Sequence, residues 1–148
     1  MVPLANSNSK VPVIMLITGM ILLSIGMCFG LIGSLQYILP AFLAENLSFE
    51  KIRPLHVSSV VFWIIIAAMG SVLTYVQQHT GSALKKTYLI KWMYVIFAVT
   101  IFSVLTSYFF GIFGGREYWE FHPVFALPIL ISWIMFIIAF CASTKLLT

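Results

Sequence analysis

An imidazole stands at the mouth of a long apolar run, in Arg53-Pro54-Leu55-His56 followed directly by VSSVVFWIIIAAMGSVLTYV. Placing such a ring in lipid is costly unless it is paired or holds a metal. Arg53 precedes it by three residues, one helical turn, and so shares its surroundings. A second reactive stretch is Gly114-Gly115-Arg116-Glu117-Tyr118-Trp119-Glu120-Phe121-His122-Pro123, with two carboxylates, an arginine and a histidine. Hard cations such as calcium want several oxygens, so this segment reads either as a cation or anion site or as a self-paired loop. His79 follows Gln77-Gln78 beyond an apolar run and reads as an exposed loop residue, and His122 before Pro123 as an interfacial one. Only His56 lies within an apolar layer. Ligation and a hydrogen bond to a neighbouring helix both remain open for it.

The elements that must position these residues follow from composition. The chain has 148 residues, of which 61% are hydrophobic and 8% charged. Soluble domains carry about 25% charge, so this is a membrane protein. Charge-free intervals run 11–44, 54–84, 92–115 and 121–144, each longer than the about 20 residues a spanning helix needs. We therefore expect an all-α fold of four transmembrane helices, at about 12–39, 54–76, 87–113 and 123–142, in a single segment over 1–148. The first ten residues, MVPLANSNSK, are short and polar, and the apolar run after them is too long for a signal peptide. Pro54 suits the first turn of its helix, where its missing N–H has no partner to lose.

Basic residues set the orientation. With four spans, Lys10, Lys85, Lys86, Lys91 and Lys145 fall on one side. Lys51, Arg53 and Arg116 fall on the other, with all four glutamates. The positive-inside rule then puts both termini in the cytoplasm and loops 41–53 and 114–122 outside. The basic residues sit at helix ends, not in a patch, which argues against a nucleic-acid partner. Membrane lipid is the expected surrounding.

On the first span, Gly19, Gly26, Gly30 and Gly33 share one stripe, and Gly26-x-x-x-Gly30 fits the close-packing motif of membrane helices. The stripe reads as helix packing or as room for a flat cofactor. On the second, His56 shares a face with Val60, Trp63, Ala67, Gly70 and Thr74. A flat ligand held by His56, or a neighbouring helix, would suit that face.

Several activities are excluded as products of these residues alone. No carboxylate lies within a span, so no proton relay of the kind pumps use crosses it. The sequence has no H-E-x-x-H, G-x-S-x-G or phosphate loop. Cys28 and Cys141 lie in apolar runs without C-x-x-C spacing and read as buried small hydrophobes.

Three stretches in order carry a resemblance: Gly33-Ser34-Leu35-Gln36-Tyr37, Arg53-Pro54-Leu55-His56-Val57-Ser58, and Gly115-Arg116-Glu117-Tyr118-Trp119-Glu120. They resemble the start of the catalytic subunit of the haem–copper oxidase superfamily. Within it the chain looks most like the large, haem-bearing subunit of bacterial nitric oxide reductase, with the C-type cytochrome c oxidases as runner-up. The resemblance implies that His56 is one axial ligand of a low-spin haem b and that Arg53 neutralises its propionates. It implies that Glu117 helps hold a calcium ion and that Glu120 is a point of proton uptake. A bis-histidine haem iron transfers electrons, since both axial positions are closed.

The same resemblance implies that the segment is the amino-terminal third of a roughly twelve-helix subunit. The second low-spin ligand, a second haem b and a non-haem iron would then come from the remainder, or from a complementary chain. The expected activity is reduction of two NO to N2O and water, or of oxygen in the alternative, in the bacterial cytoplasmic (inner) membrane. A cytochrome c-type subunit or a quinol would supply electrons. A non-enzymatic four-helix accessory or assembly subunit, burying His56 in a helix contact, is the reading from another class.

Overall fold

The computed structural model describes residues 9–80, 83–114, 116 and 118–144. It is all-α: α1 (Val11–Ile38), α2 (Phe49–Thr80), α3 (Thr87–Phe109) and α4 (Ala126–Thr144), with a 3-10 turn at Pro123–Phe125 leading into α4. All four are long and apolar enough to cross a membrane. No strand forms among the described residues, and the one β-bridge joins Arg116 to Trp119.

The glycine stripe of α1 is spent on α2. Gly33 faces Ile52 and Phe49, Gly30 faces His56, Gly26 faces Ser59 and Val60, and Gly19 faces Trp63 and Ala67. At the far end Gly70 lies under the Pro12 carbonyl and Met15. Residue numbers that fall on one helix as they rise on the other make the pair antiparallel. Without side chains the backbones approach closely enough for dispersion contacts to hold them, which is the main attraction between helices in lipid. The face of α2 that carries His56, Val60, Trp63 and Ala67 is therefore covered by α1. Beyond His56, at Val60, Trp63 and Ala67, that face leaves no room for a flat ligand.

The second hairpin, α3 with α4, closes on the first. Phe97 meets Phe62 edge-on at 5.9 Å, and the Tyr108 hydroxyl bonds that of Ser58 at 3.0 Å. Thr18 and Tyr94 join α1 to α3 at 2.9 Å. At one end Phe121 stacks on Phe62. At the other the Lys85 amide donates to the Ser143 hydroxyl at 3.1 Å. The four spans thus alternate up and down. Much of α4 is bare, with Leu127, Leu130, Ile134 and Ile137 all exposed. Such a face requires lipid or further protein.

Four boundaries differ from expectation, one being the end of α2, which runs on to Thr80 from the expected 76. α2 begins at Phe49, five residues early, because the Ser48 carbonyl accepts the amides of Lys51 and Ile52 and closes a first turn ahead of the proline. Pro54 is thus inside the helix, where it costs one bond, the one its N–H would have made to the Glu50 carbonyl. α3 ends at Phe109 instead of near 113. Gly111 adopts φ +72°, and the amides of Gly111 and Ile112 return to the carbonyls of Tyr108 and Ser107, a left-handed glycine cap. α4 proper starts at Ala126, since Pro123–Phe125 coil more tightly as a 3-10 turn, with His122 Nδ1 accepting the Val124 amide at 3.4 Å.

Candidate functional site

At its amino-terminal end, where the charges cluster, α2 has 32 residues and a length of about 48 Å. That exceeds the about 30 Å of hydrocarbon it must cross, and its charged residues gather in its first turns. These turns carry Glu50, Lys51 and Arg53, with His56 just below.

The His56 ring lies across Gly30, where a Cβ would come within 2.9 Å of both its Nδ1 and Cε1. Its Nδ1 is 2.7 Å from the Gly26 carbonyl oxygen. A carbonyl only accepts, so Nδ1 must carry the hydrogen. In the neutral ring Nε2 then holds the lone pair. Orienting a ligand imidazole through a backbone carbonyl on its other nitrogen is the usual support for a metal-binding histidine. The hydrogen bond to a neighbouring helix is thus formed, and among the described residues it leaves the second ring nitrogen without a bond. The ring bonds a neighbouring helix, as an inert histidine would, and still presents a basic nitrogen.

A groove of about 260 Å³ opens beside the ring between α1 and α2, lined by Phe29, Gly33, Tyr37, Phe49, Arg53 and His56. Tyr37 and Phe49 meet edge to face at 5.4 Å on its wall. An apolar slot with a free imidazole nitrogen and a guanidinium one turn above it suits one edge of a haem. Were such a group bound there, the apolar walls would meet the macrocycle, His56 Nε2 the iron and Arg53 the propionates.

Arg53 is already engaged. Its Nη2 lies 2.5 Å from Glu120 Oε1, so α2 and the 116–122 loop are pinned together. The loop is built to present that carboxylate. The Gly114 amide donates to the Glu120 carbonyl, the Trp119 amide donates to the Arg116 carbonyl, and Tyr118 takes φ 62° to turn the chain. A Cβ on Gly114 would collide with the Phe121 carbonyl. Glycine is therefore needed where the loop crosses itself.

Of the residues singled out by sequence, the structure brings His56, Arg53 and Glu120 to one end of the bundle. His79 lies on the last turn of α2, exposed and stacked on Tyr75, so it is helical, not in a loop. His122 is exposed and caps the 3-10 turn. Glu117, and with it the calcium expectation, lies outside the described residues. Among the described residues no three His, Cys, Asp or Glu side chains converge to hold a metal. Cys28 and Cys141 are exposed on the apolar surface, not buried.

Sequence reasoning missed Gln36 as a structural residue. Its buried amide donates to the Phe42 and Leu47 carbonyls at 2.9 and 2.8 Å, tying the loop before α2 to the end of α1. The signal was an amide at the end of an otherwise apolar helix. It also missed the Ser58–Tyr108 bond, since nothing local distinguishes Tyr108 from its aromatic neighbours.

Comparison with known proteins decides the family. Residues 10–147 match the family described as Cytochrome C and Quinol oxidase polypeptide I. The chain belongs to that family, the haem-bearing first subunit of the haem–copper oxidases. It is 35% identical over 126 residues to a cytochrome c oxidase subunit 1 homolog of Azorhizobium caulinodans, covering 80% of this chain and 22% of that protein. A homolog of the same description in Agrobacterium tumefaciens is 30% identical over 122 residues, covering 80% of this chain and 22% of the relative. The cytochrome c oxidase subunit 1 of Rhodobacter capsulatus is 29% identical over 125 residues, 80% of this chain and 24% of the relative. The chain thus spans less than a quarter of the length of these relatives. All three bear oxidase names, so the comparisons support the family and an oxidase-type likeness at least as well as one to nitric oxide reductase in particular.

Proposed function

We propose that this oxidase polypeptide I chain forms the amino-terminal four-helix part of the catalytic subunit of a respiratory oxidoreductase. In it His56 serves as one axial ligand of a low-spin haem b. The observation that carries the reading is the pairing of Nδ1 with the Gly26 carbonyl, which leaves Nε2 basic beside an apolar groove. The haem, when bound, supplies one-electron transfer. The chain's own residues orient the imidazole, exclude water with Phe29, Tyr37 and Phe49, and offset negative charge through Arg53. The opposite axial ligand, the second haem and the other metal come from the rest of the subunit or a complementary chain.

Oxygen is the substrate the comparisons favour, because the relatives are named oxidases. Nitric oxide reduction is the second reading, supported by the likeness of the Gly115 to Glu120 loop to the reductases. A calcium ion at Glu117 goes with that reading. The charge split between loops supports cytoplasmic termini and an outward-facing Arg53–Glu120 pair in a bacterial inner membrane. Electrons arrive from a cytochrome c-type subunit or a quinol.

The test is a reduced-minus-oxidised visible spectrum of membranes holding the complete complex, with and without His56→Ala. Loss of a b-type band in the variant is expected. A band of full amplitude in H56A would end the ligand assignment. Consumption of oxygen or of nitric oxide by the same membranes, and copper or iron as the third metal, then separates the two substrates.

A further inference from the structure

Arg53 and Phe49 form a wall shared by two openings. On one side is the His56 groove. On the other is a cleft of about 350 Å³ lined by Phe49, Glu50, Arg53, Phe113 and Glu120. The ion pair in that wall is lopsided, because the Glu120 side chain is 10% exposed and that of Arg53 52%. A carboxylate so buried needs its counter-charge, whereas a half-open guanidinium has donors to spare. Guanidinium carries five N–H donors in a rigid fork, and Glu120 Oε1 takes one from Nη2. The remainder can meet a second anion in the groove.

The anchor is also rigid. Glu120 is held through its own carbonyl by the Gly114 amide. Its neighbour Phe121 is buried and stacked on Phe62 of α2. A carboxylate fixed in this way is suited to holding a partner in place, and poorly suited to swinging a proton inward.

We propose that Glu120 is a positioning residue, which through Arg53 fixes the guanidinium at the rim of the His56 groove and sets the positive charge that groove presents. The inference deepens the haem reading above and rests on it. With Glu120 ionised, much of the Arg53 charge is offset locally. With glutamine in its place, the guanidinium acts undiminished on whatever His56 holds. A reduced centre carries one more negative charge than its oxidised form, so the uncompensated cation favours reduction and raises the midpoint potential. Glu50 lines the same cleft and is the carboxylate placed to substitute for Glu120.

The experiment is a potentiometric titration of the His56-dependent b-type signal in membranes with the complete complex. The variants are Glu120→Gln, Glu120→Asp, Glu50→Gln and the Glu50→Gln/Glu120→Gln pair. Glu120→Gln is expected to keep the signal and raise its midpoint, the double variant to raise it further, and Glu120→Asp to stay near wild type. A full-amplitude signal with an unmoved midpoint in both Glu120→Gln and the double variant overturns the proposal. If Glu120→Gln loses the signal, Glu120→Asp must retain it at the wild-type midpoint. Loss in both would assign Glu120 to packing alone. A signal that survives His56→Ala would instead refute the ligand reading, whatever Glu120 does.

Discussion

His56 Nδ1 and the Gly26 carbonyl oxygen are 2.7 Å apart, and Gly30, one turn further along α1, leaves the space in which the ring lies. The Gly26-x-x-x-Gly30 motif thus seats an imidazole and fixes its tautomer, besides letting two helices approach.

Gly30→Ala tests that seat. The added Cβ would stand 2.9 Å from two ring atoms, so the ring must turn away or the helices part, at about 1–3 kcal/mol of overpacking. Haem content per subunit is expected to fall. Gly19→Ala is the control, because its Cβ would meet Ala67 Cβ at 3.2 Å and Trp63 Cδ1 at 3.3 Å, in the same helix seam but outside the groove, and it should leave haem content near wild type. Equal haem content in both variants would show that ring placement is not limiting.

The Arg53–Glu120 pair predicts an asymmetry. Arg53→Gln strands a nearly buried carboxylate, and removing one partner of a buried pair costs about 3–5 kcal/mol. Here the half-exposed arginine lowers that figure through solvent screening. Glu120→Gln leaves an exposed guanidinium that water can solvate. Thermal unfolding in detergent should therefore fall further for Arg53→Gln than for Glu120→Gln. The reverse order would mean that the carboxylate finds another partner.

Much of this arrangement was legible in the sequence. Uninterrupted apolar runs set four spans, and the charges between them placed Arg53 and Glu120 at one end with His56. The start of α2 was not legible, because Pro54 signals a first turn by local rules while Ser48 closes one ahead of it. Nor was the end of α3, where three glycines compete and, among the described residues, Gly111 is the glycine at positive φ. The partner of His56 was hidden for a different reason. It is a backbone carbonyl, which every residue has, brought close by glycines whose two roles look identical in sequence.

Gln36 makes a prediction for the loop between α1 and α2. Its amide satisfies two loop carbonyls where few other donors reach. Leucine in its place leaves those carbonyls unmatched, at about 1–3 kcal/mol for each one kept from water. Gln36→Leu should loosen 40–48, and limited proteolysis from the side bearing Lys51 should cut there faster than in wild type. An unchanged rate would assign the order of the loop to Pro40 and to its turns.

Orientation is the most direct prediction, because it follows from charge and from the alternating spans. In a background with Cys28 and Cys141 changed to alanine, single cysteines at Asn46 and Lys86 report the two ends. Asn46 lies in the turn between α1 and α2, and Lys86 at the amino-terminal cap of α3. The inner end carries Lys10, Lys85, Lys86 and Lys91 against Lys51, Arg53 and Arg116 at the outer, a bias that holds best in short loops. A membrane-impermeant maleimide added to intact cells should label Asn46→Cys at once and Lys86→Cys only after the membrane is opened. Labelling of Lys86→Cys in intact cells would invert the topology. It would turn the Arg53–Glu120 pair towards the cytoplasm.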